Sequence, residues 1–434
     1  MHRRKLLKSI VAAALAAPGA HAAVGQPTSA GGAALLFVPG YRPERGRLAG
    51  LPLTRHPDLT RFLPRGYGGP VTLIARLDER DRSVRRTLLP LQGHHVAIDP
   101  RGEQAFFSAI DGEQMVRFDP RTLAMLDIVV PHQPGFTGGG HSGYMRDGRY
   151  HVSTERRLAA RFTGRPDDHR GRIVIRDAAT MKVIEVFESH GIAPHDLTLM
   201  DADGLVAVAN YGTTWAARES EDATEPFRRV EPRLSLIELK SGKLVDSLVP
   251  DNNAFEIRHL AVRDRDHLLA IGIDYRRDSA MAGLQAGDDR VRPEDTNKVE
   301  GMDYAPAPLL GLHRSDQGRR RADVMAHDPL DFREGQTVVY DATHDEALAT
   351  FASSHTIAIV DAKTFALKQT IRTDRFGLYF PRGIALHPDG KRYVVSGSWS
   401  GLYFFARGTH APDLAATWHE TFFHHSHITA VAAV

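Results

Sequence analysis

The chain has 434 residues, 42% hydrophobic and 25% charged, with a formal net charge of +2 and no cysteine. That composition is globular and allows a large core, which excludes a disordered chain. The missing cysteines exclude disulfides, thiolate metal sites and iron–sulfur clusters, and the near-neutral charge leaves no basic footprint for nucleic acid.

Residues 1–22 read as an address. The segment His2 to Lys8 (HRRKLLK) precedes an Ala-rich apolar run from Ile10 to Ala17, then Pro18-Gly19 and the small-residue site Ala20-His21-Ala22, where cleavage is expected after Ala22. The pair Arg3-Arg4, followed by Leu6, Leu7 and Lys8, resembles a twin-arginine export signal, with an ordinary secretory signal as the alternative. Removing it takes away the four charges of Arg3, Arg4, Lys5 and Lys8 and moves the formal charge from +2 to −2. No other apolar run approaches the roughly 18 residues of a membrane span. The expected mature protein, residues 23–434, is a periplasmic monomer without a membrane span.

Three strands come next: Ala34 to Gly40, Val71 to Asp78 and Ser83 to Leu91. A recurring unit then begins at His95. Its strands are Val96 to Ile98, Ala105 to Ala109, Met115 to Phe118 and Ala124 to Val130, separated by turns at Pro100-Arg101-Gly102, Asp111-Gly112 and Asp119-Pro120. Four strands in about 40 residues make one propeller blade. The unit restarts at His141, His195, His259, Gln336 and Gly383, and in the third copy Asp203-Gly204 turns one apolar strand into the next. A polar stretch from Arg276 to Pro306 reads as a loop insertion in the fourth copy. The last segment, His427 to Val434, supplies one strand only.

If that strand pairs with the three N-terminal ones, the ring closes and no sheet edge is left open. The expected fold is therefore all-β, a seven-bladed β-propeller in a single domain, with six blades as the competitor.

The stretches GGGHSGYMRDGRYHVSTE (Gly138 to Glu155), SHGIAPHDL (Ser189 to Leu197), VANYG, PRLSLIELKSGKL and IRHLAV (Ile257 to Val262) resemble an exported bacterial propeller family of unknown function. That family sits in the group of YVTN-repeat proteins and the quinoprotein amine dehydrogenase heavy chain, and its members are often encoded beside imelysin-type iron-uptake lipoproteins. The sequence departs from the family pattern in two places. Arg156-Arg157 stand where an Asn-Asp pair is more usual, and Tyr211 interrupts an Asn-Gly-Gly run. The resemblance implies iron or copper handling with a periplasmic or lipoprotein iron-uptake partner, and it brings no established catalytic residues.

The residues themselves suggest where chemistry would sit. One slot, the entry to the innermost strand, is His in five of the seven copies: His95, His141, His195, His259 and His427. Inner strands surround one axis, so these side chains converge on one mouth. Converging neutral imidazoles with a carboxylate make a transition-metal site, and Asp196, Glu155 and Glu256 are the carboxylates expected to ligate or to orient a ring. His94, His190, His424 and His425 lie nearby. The bland alternative is that each His braces its own repeat. Asn210, Arg258 and Arg382 are candidates for an anionic ligand over the axis, because guanidinium groups pair with carboxylates in a fork.

The triplet Gly138 to Gly140 lacks the strand-to-helix context and the Lys-Ser/Thr of a phosphate loop. It reads as a close-packed turn carrying His141 into the mouth. No G-x-S-x-G elbow accompanies Ser142. Three tryptophans and no cysteines argue against a quinone cofactor. The function expected first is a periplasmic binding or accessory protein with a His-lined axial mouth, more a binder than an enzyme. A metal-dependent oxidoreductase or hydrolase and a metal-free interaction scaffold are the alternatives, since one fold hosts all three.

Overall fold

Apolar residues on alternate positions give a strand one buried face, and a short turn lets it pair with the next strand in sequence. In a computed structural model of the chain this happens repeatedly. The structure describes residues 32–40, 47–48, 51–158, 165–213, 231–250, 255–277, 304–315, 318–328, 331–398, 400–419 and 427–433. The expected signal segment lies outside these residues, as do His424 and His425.

Six antiparallel sheets are chain-continuous meanders. Blade 1 runs Gly93–Ile98, Ala105–Ala109, Met115–Phe118 and Met125–Val129, and blade 2 runs Phe136–Tyr144, Tyr150–Arg157, Arg170–Asp177 and Val183–Ile192. Blades 3, 5 and 6 open with Pro194–Met200, Gly335–Asp341 and Pro381–Leu386. Blade 4 opens with Phe255–Asp264, and its second strand, His267–Arg277, also pairs with the short strand Tyr304–Ala305. The polar insertion thus leaves and returns through one extended hairpin, and residues 278–303 lie outside the described residues.

Blade 7 combines both ends of the chain, in the order Thr429–Ala432, Ala34–Gly40, Thr72–Asp78, Ser83–Leu89. Its closing register sets Ala34 opposite Ala432 and Phe37 opposite Thr429. Each innermost strand contacts the next, and that of blade 7 contacts that of blade 1. The molecule is a seven-bladed propeller closed as the sequence predicts.

The blades interlock through their faces. Phe37, Ile74, Val96, Phe106 and Phe107 join blade 7 to blade 1, and Leu36, Leu77, Val394, Leu402 and Phe404 join blade 6 to blade 7. Similar clusters lie between blades 3 and 4 and between blades 5 and 6. Truncating one such Phe to Ala costs about 3–5 kcal/mol, a large part of the stability of any domain. These interfaces therefore fix the angle between blades, and with it the position of everything on the axis.

Candidate metal centre

The six continuous blades share an irregularity. Each breaks register at the entry to its innermost strand: Gly93/His95, Gly138/Ser142, Pro194/Asp196, Ile257/His259, Gly335/Val338 and Pro381/Ile384. A bulge puts an extra, unpaired residue on one strand and re-aims its side chain. Here six bulges surround one axis.

Five imidazoles meet there. One ring nitrogen from each of His94, His141, His195, His259 and His427 lies within 4.8 Å of all the others. The Nε2 atoms of His94 and His195 are 3.1 Å apart, those of His94 and His427 2.9 Å, and those of His141 and His259 3.1 Å. Donor atoms bound to one ion at about 2.1 Å and at right angles to each other are separated by about 3.0 Å, which these contacts match.

The ring arrangement is a square pyramid. The centroid of His141 stands 4.7–5.1 Å from those of His94, His195, His259 and His427, with its plane 71–79° from each of theirs. The four others form the base, with neighbouring corners at 4.3–4.9 Å. His94 and His259 are opposite corners, 6.5 Å apart with planes 9° from parallel.

Groups behind the rings orient them. His195 Nδ1 is fixed between the Gly139 carbonyl at 2.8 Å and the Arg156 guanidinium at 3.1 Å, which turns its Nε2 toward the axis. His141 Nδ1 stands 3.3 Å from Asp196 Oδ1, an arrangement that holds a metal-binding imidazole in the right tautomer and raises its basicity. Asp196 is itself anchored by the backbone N–H groups of Leu197 and Leu260.

The Gly triplet serves this geometry. Gly140 has φ +119°, and a Cβ on it would lie 2.5 Å from His195 Nδ1. A Cβ on Gly139 would lie 2.5 Å from the Pro194 carbonyl. Only glycine lets blade 2 approach blade 3 this closely.

Burial, together with neighbouring rings and cations, holds His94, His141, His195 and His427 well below the usual imidazole range. His259 falls to about 3, mainly through burial and then the Arg258 charge. Neutral rings are the ligating form. They also crowd lone pairs together. His94 Nε2 faces both His195 and His427, and a single ring nitrogen is either donor or acceptor. A cation at the centre satisfies all five at once.

A cavity of about 20 Å³ adjoins the base of the pyramid, walled by His94, His195, His259, His427, Tyr211, Arg258, Gln336 and Arg382. Glu256 holds Arg258 at 3.0 Å, and Glu334 and Gln336 each hold Arg382 at 2.9 Å.

A model for proteins of unknown function, DUF1513, matches residues 87–404. The chain belongs to the DUF1513 family. A comparison with curated proteins gives no match. Among solved structures this DUF1513 propeller is similar to hydrazine synthase of Kuenenia stuttgartiensis, with a TM-score of 0.55 at 11% identity over 77% of this chain and 90% of that one. It is also similar to a protein from Lactobacillus plantarum, with a TM-score of 0.56 at 12% identity over 92% and 99%. Likeness at such identity speaks to the fold alone.

Within the DUF1513 propeller, three positions singled out from sequence stand elsewhere than expected. His95 is not in the cluster. The bulge at Gly93/His95 gives the inward position to His94, and His95 resumes pairing opposite Ser108 and stacks on His141 at 4.5 Å. Glu155 is a structural carboxylate, bonded to Arg176 and, at 2.6 Å, to His132. Asn210 donates to the Arg233 carbonyl at 3.0 Å and to Ser235 Oγ at 3.2 Å, inside blade 3 and outside the cavity wall. His190 bonds the Gly242 carbonyl, also away from the axis.

Sequence reasoning missed Tyr211, Gln336 and Arg156 as neighbours of the centre. Two of them meet here: the Arg156 guanidinium lies 4.3 Å over the Tyr211 ring, which packs 4.5 Å from His195.

Proposed function

We propose that this DUF1513 propeller binds one first-row transition-metal ion on its axis, as copper or iron, and acts in the periplasm as a binding or accessory protein for that metal. The observation that carries the proposal is the square pyramid of five inward-facing imidazoles. Five nitrogen donors without a directly ligating carboxylate do not suit calcium or magnesium, which take oxygen ligands. Structural zinc is almost always four-coordinate and tetrahedral. A tetragonal nitrogen set favours copper(II), which also heads the affinity order, and imidazole suits iron as well. The family resemblance to propellers encoded beside iron-uptake lipoproteins supports iron, and the export-type N-terminus supports the location.

The position opposite His141 favours a second reading, a metal-dependent oxidoreductase or hydrolase, because catalytic ions keep one position for water or substrate. Metal analysis by mass spectrometry tests the first step. Protein isolated from the periplasm without tag or chelator is expected to hold about one copper or iron per chain, and the His141→Ala, His195→Ala double variant almost none. Metal-free wild-type protein that stays so when offered either ion would reject the proposal.

A further inference from the structure

We propose that the metal centre carries a sixth-ligand site for a small anion of one to three non-hydrogen atoms, held between the ion and the guanidinium groups of Arg258 and Arg382. This rests on the metal-binding reading above. The direction comes from the ring geometry. His141 is nearly equidistant from the four basal rings, so it stands at the apex, and the position opposite it lies beyond the base. The cavity lies on that side, since its wall includes all four basal histidines and not His141.

Charge decides the ligand class. Five imidazoles bring no charge to a divalent ion, and Asp196 is the one carboxylate at ion-pair distance from the ligand rings among the described residues. A buried ion left uncompensated is costly. Among the described residues the cavity wall brings no carboxylate to it. Arg258 and Arg382 belong to that wall, whereas the carboxylates that pair with them, Glu256 and Glu334, do not. Each ion pair therefore presents its positive end to the cavity. An anion that ligates the ion and accepts from guanidinium N–H groups satisfies both demands. Size sets the limit, because a cavity of about 20 Å³ admits only a small, slender anion beside the ion.

The test uses the full chain loaded with copper(II), its metal content measured first, and azide as the probe. Azide is expected to produce a new charge-transfer absorption band and a changed electron paramagnetic resonance spectrum, saturating at one azide per copper. Sulfate, too large for the cavity, leaves both spectra unchanged. The Arg258→Gln variant is expected to keep its copper and bind azide at least tenfold more weakly. Copper-loaded wild-type protein whose spectra ignore azide would overturn this inference while leaving the metal centre standing. Equal azide affinity in wild type and Arg258→Gln would overturn the role given to the guanidinium. Failure to take up either copper or iron would overturn both readings. The wild-type titration needs no variant, so it decides the matter even if Arg258→Gln fails to fold.

Discussion

Asp196 stands behind His141: its Oδ1 is 3.3 Å from the ring Nδ1 of the apical imidazole. Among the described residues it touches no other ring of the cluster at ion-pair distance. Burial pushes its carboxyl up to about 7, an expense that makes sense where a cation sits on the other side of the imidazole. Asp196→Asn is expected to lower metal affinity about 10- to 100-fold with little change in fold, measured by competition with a chelator of known affinity.

Glu155 gives the opposite outcome. It is fully buried with Arg176 and His132, and removing one partner of a buried pair costs about 3–5 kcal/mol. Glu155→Gln should lower the urea midpoint accordingly and leave the metal content per folded chain unchanged. Metal lost in proportion to the folded fraction fits this; metal lost from fully folded protein would restore Glu155 as a ligand.

The joint between blades 6 and 7 should report pH. His387 Nε2 bonds Glu79 at 2.7 Å, and Asp389 and Arg392 adjoin the same pair. Burial lowers the affinity of His387 for its proton, but Asp389 and Glu79 outweigh that and raise it overall. Burial raises Glu79, but bonds from His387 and the Ala34 N–H bring it below its usual range. The imidazole contribution is complete below the ordinary histidine range and fades as pH rises through its raised value. The carboxylate contribution is complete above the ordinary glutamate range and fades as pH falls through its lowered value. Glu79→Gln is therefore expected to cost most stability near pH 5.5 and distinctly less near pH 9, measured by urea unfolding at both.

Ring closure can be cut. Deleting residues 427–434 removes the strand that pairs with Ala34 to Phe37 and also the His427 ligand. The truncated chain should melt far below the intact one, associate through its exposed edge and hold no metal. A truncation that melts like the intact chain would refute the closure.

The blades were legible because turns carrying Gly, Asp or Pro recur between short apolar runs. The closing strand was legible because one unpaired strand at the C-terminus and three at the N-terminus complete one blade. The step from His95 to His94 was not, since a bulge adds one residue to a strand without leaving a mark in the alternation. Glu155 and Asn210 lie next to the right segments, yet side chains on neighbouring positions of a strand face opposite ways. Tyr211 reaches the centre because it follows the strand that pairs with Pro194–Met200, whereas Gln336 comes there only through the angle between blades, which depends on interface packing and not on any local motif.

His427 lies just ahead of the strand that closes the ring, and the other four rings of the cluster come from the first to the fourth blade. Of the five it is the last to leave the ribosome, and it reaches the axis only when the two ends of the chain have found each other. A nascent or misassembled chain thus has four imidazoles at most and no fixed angles between them. On the metal-binding reading proposed above, an ion held by all five rings would also tie the two ends of the ring together.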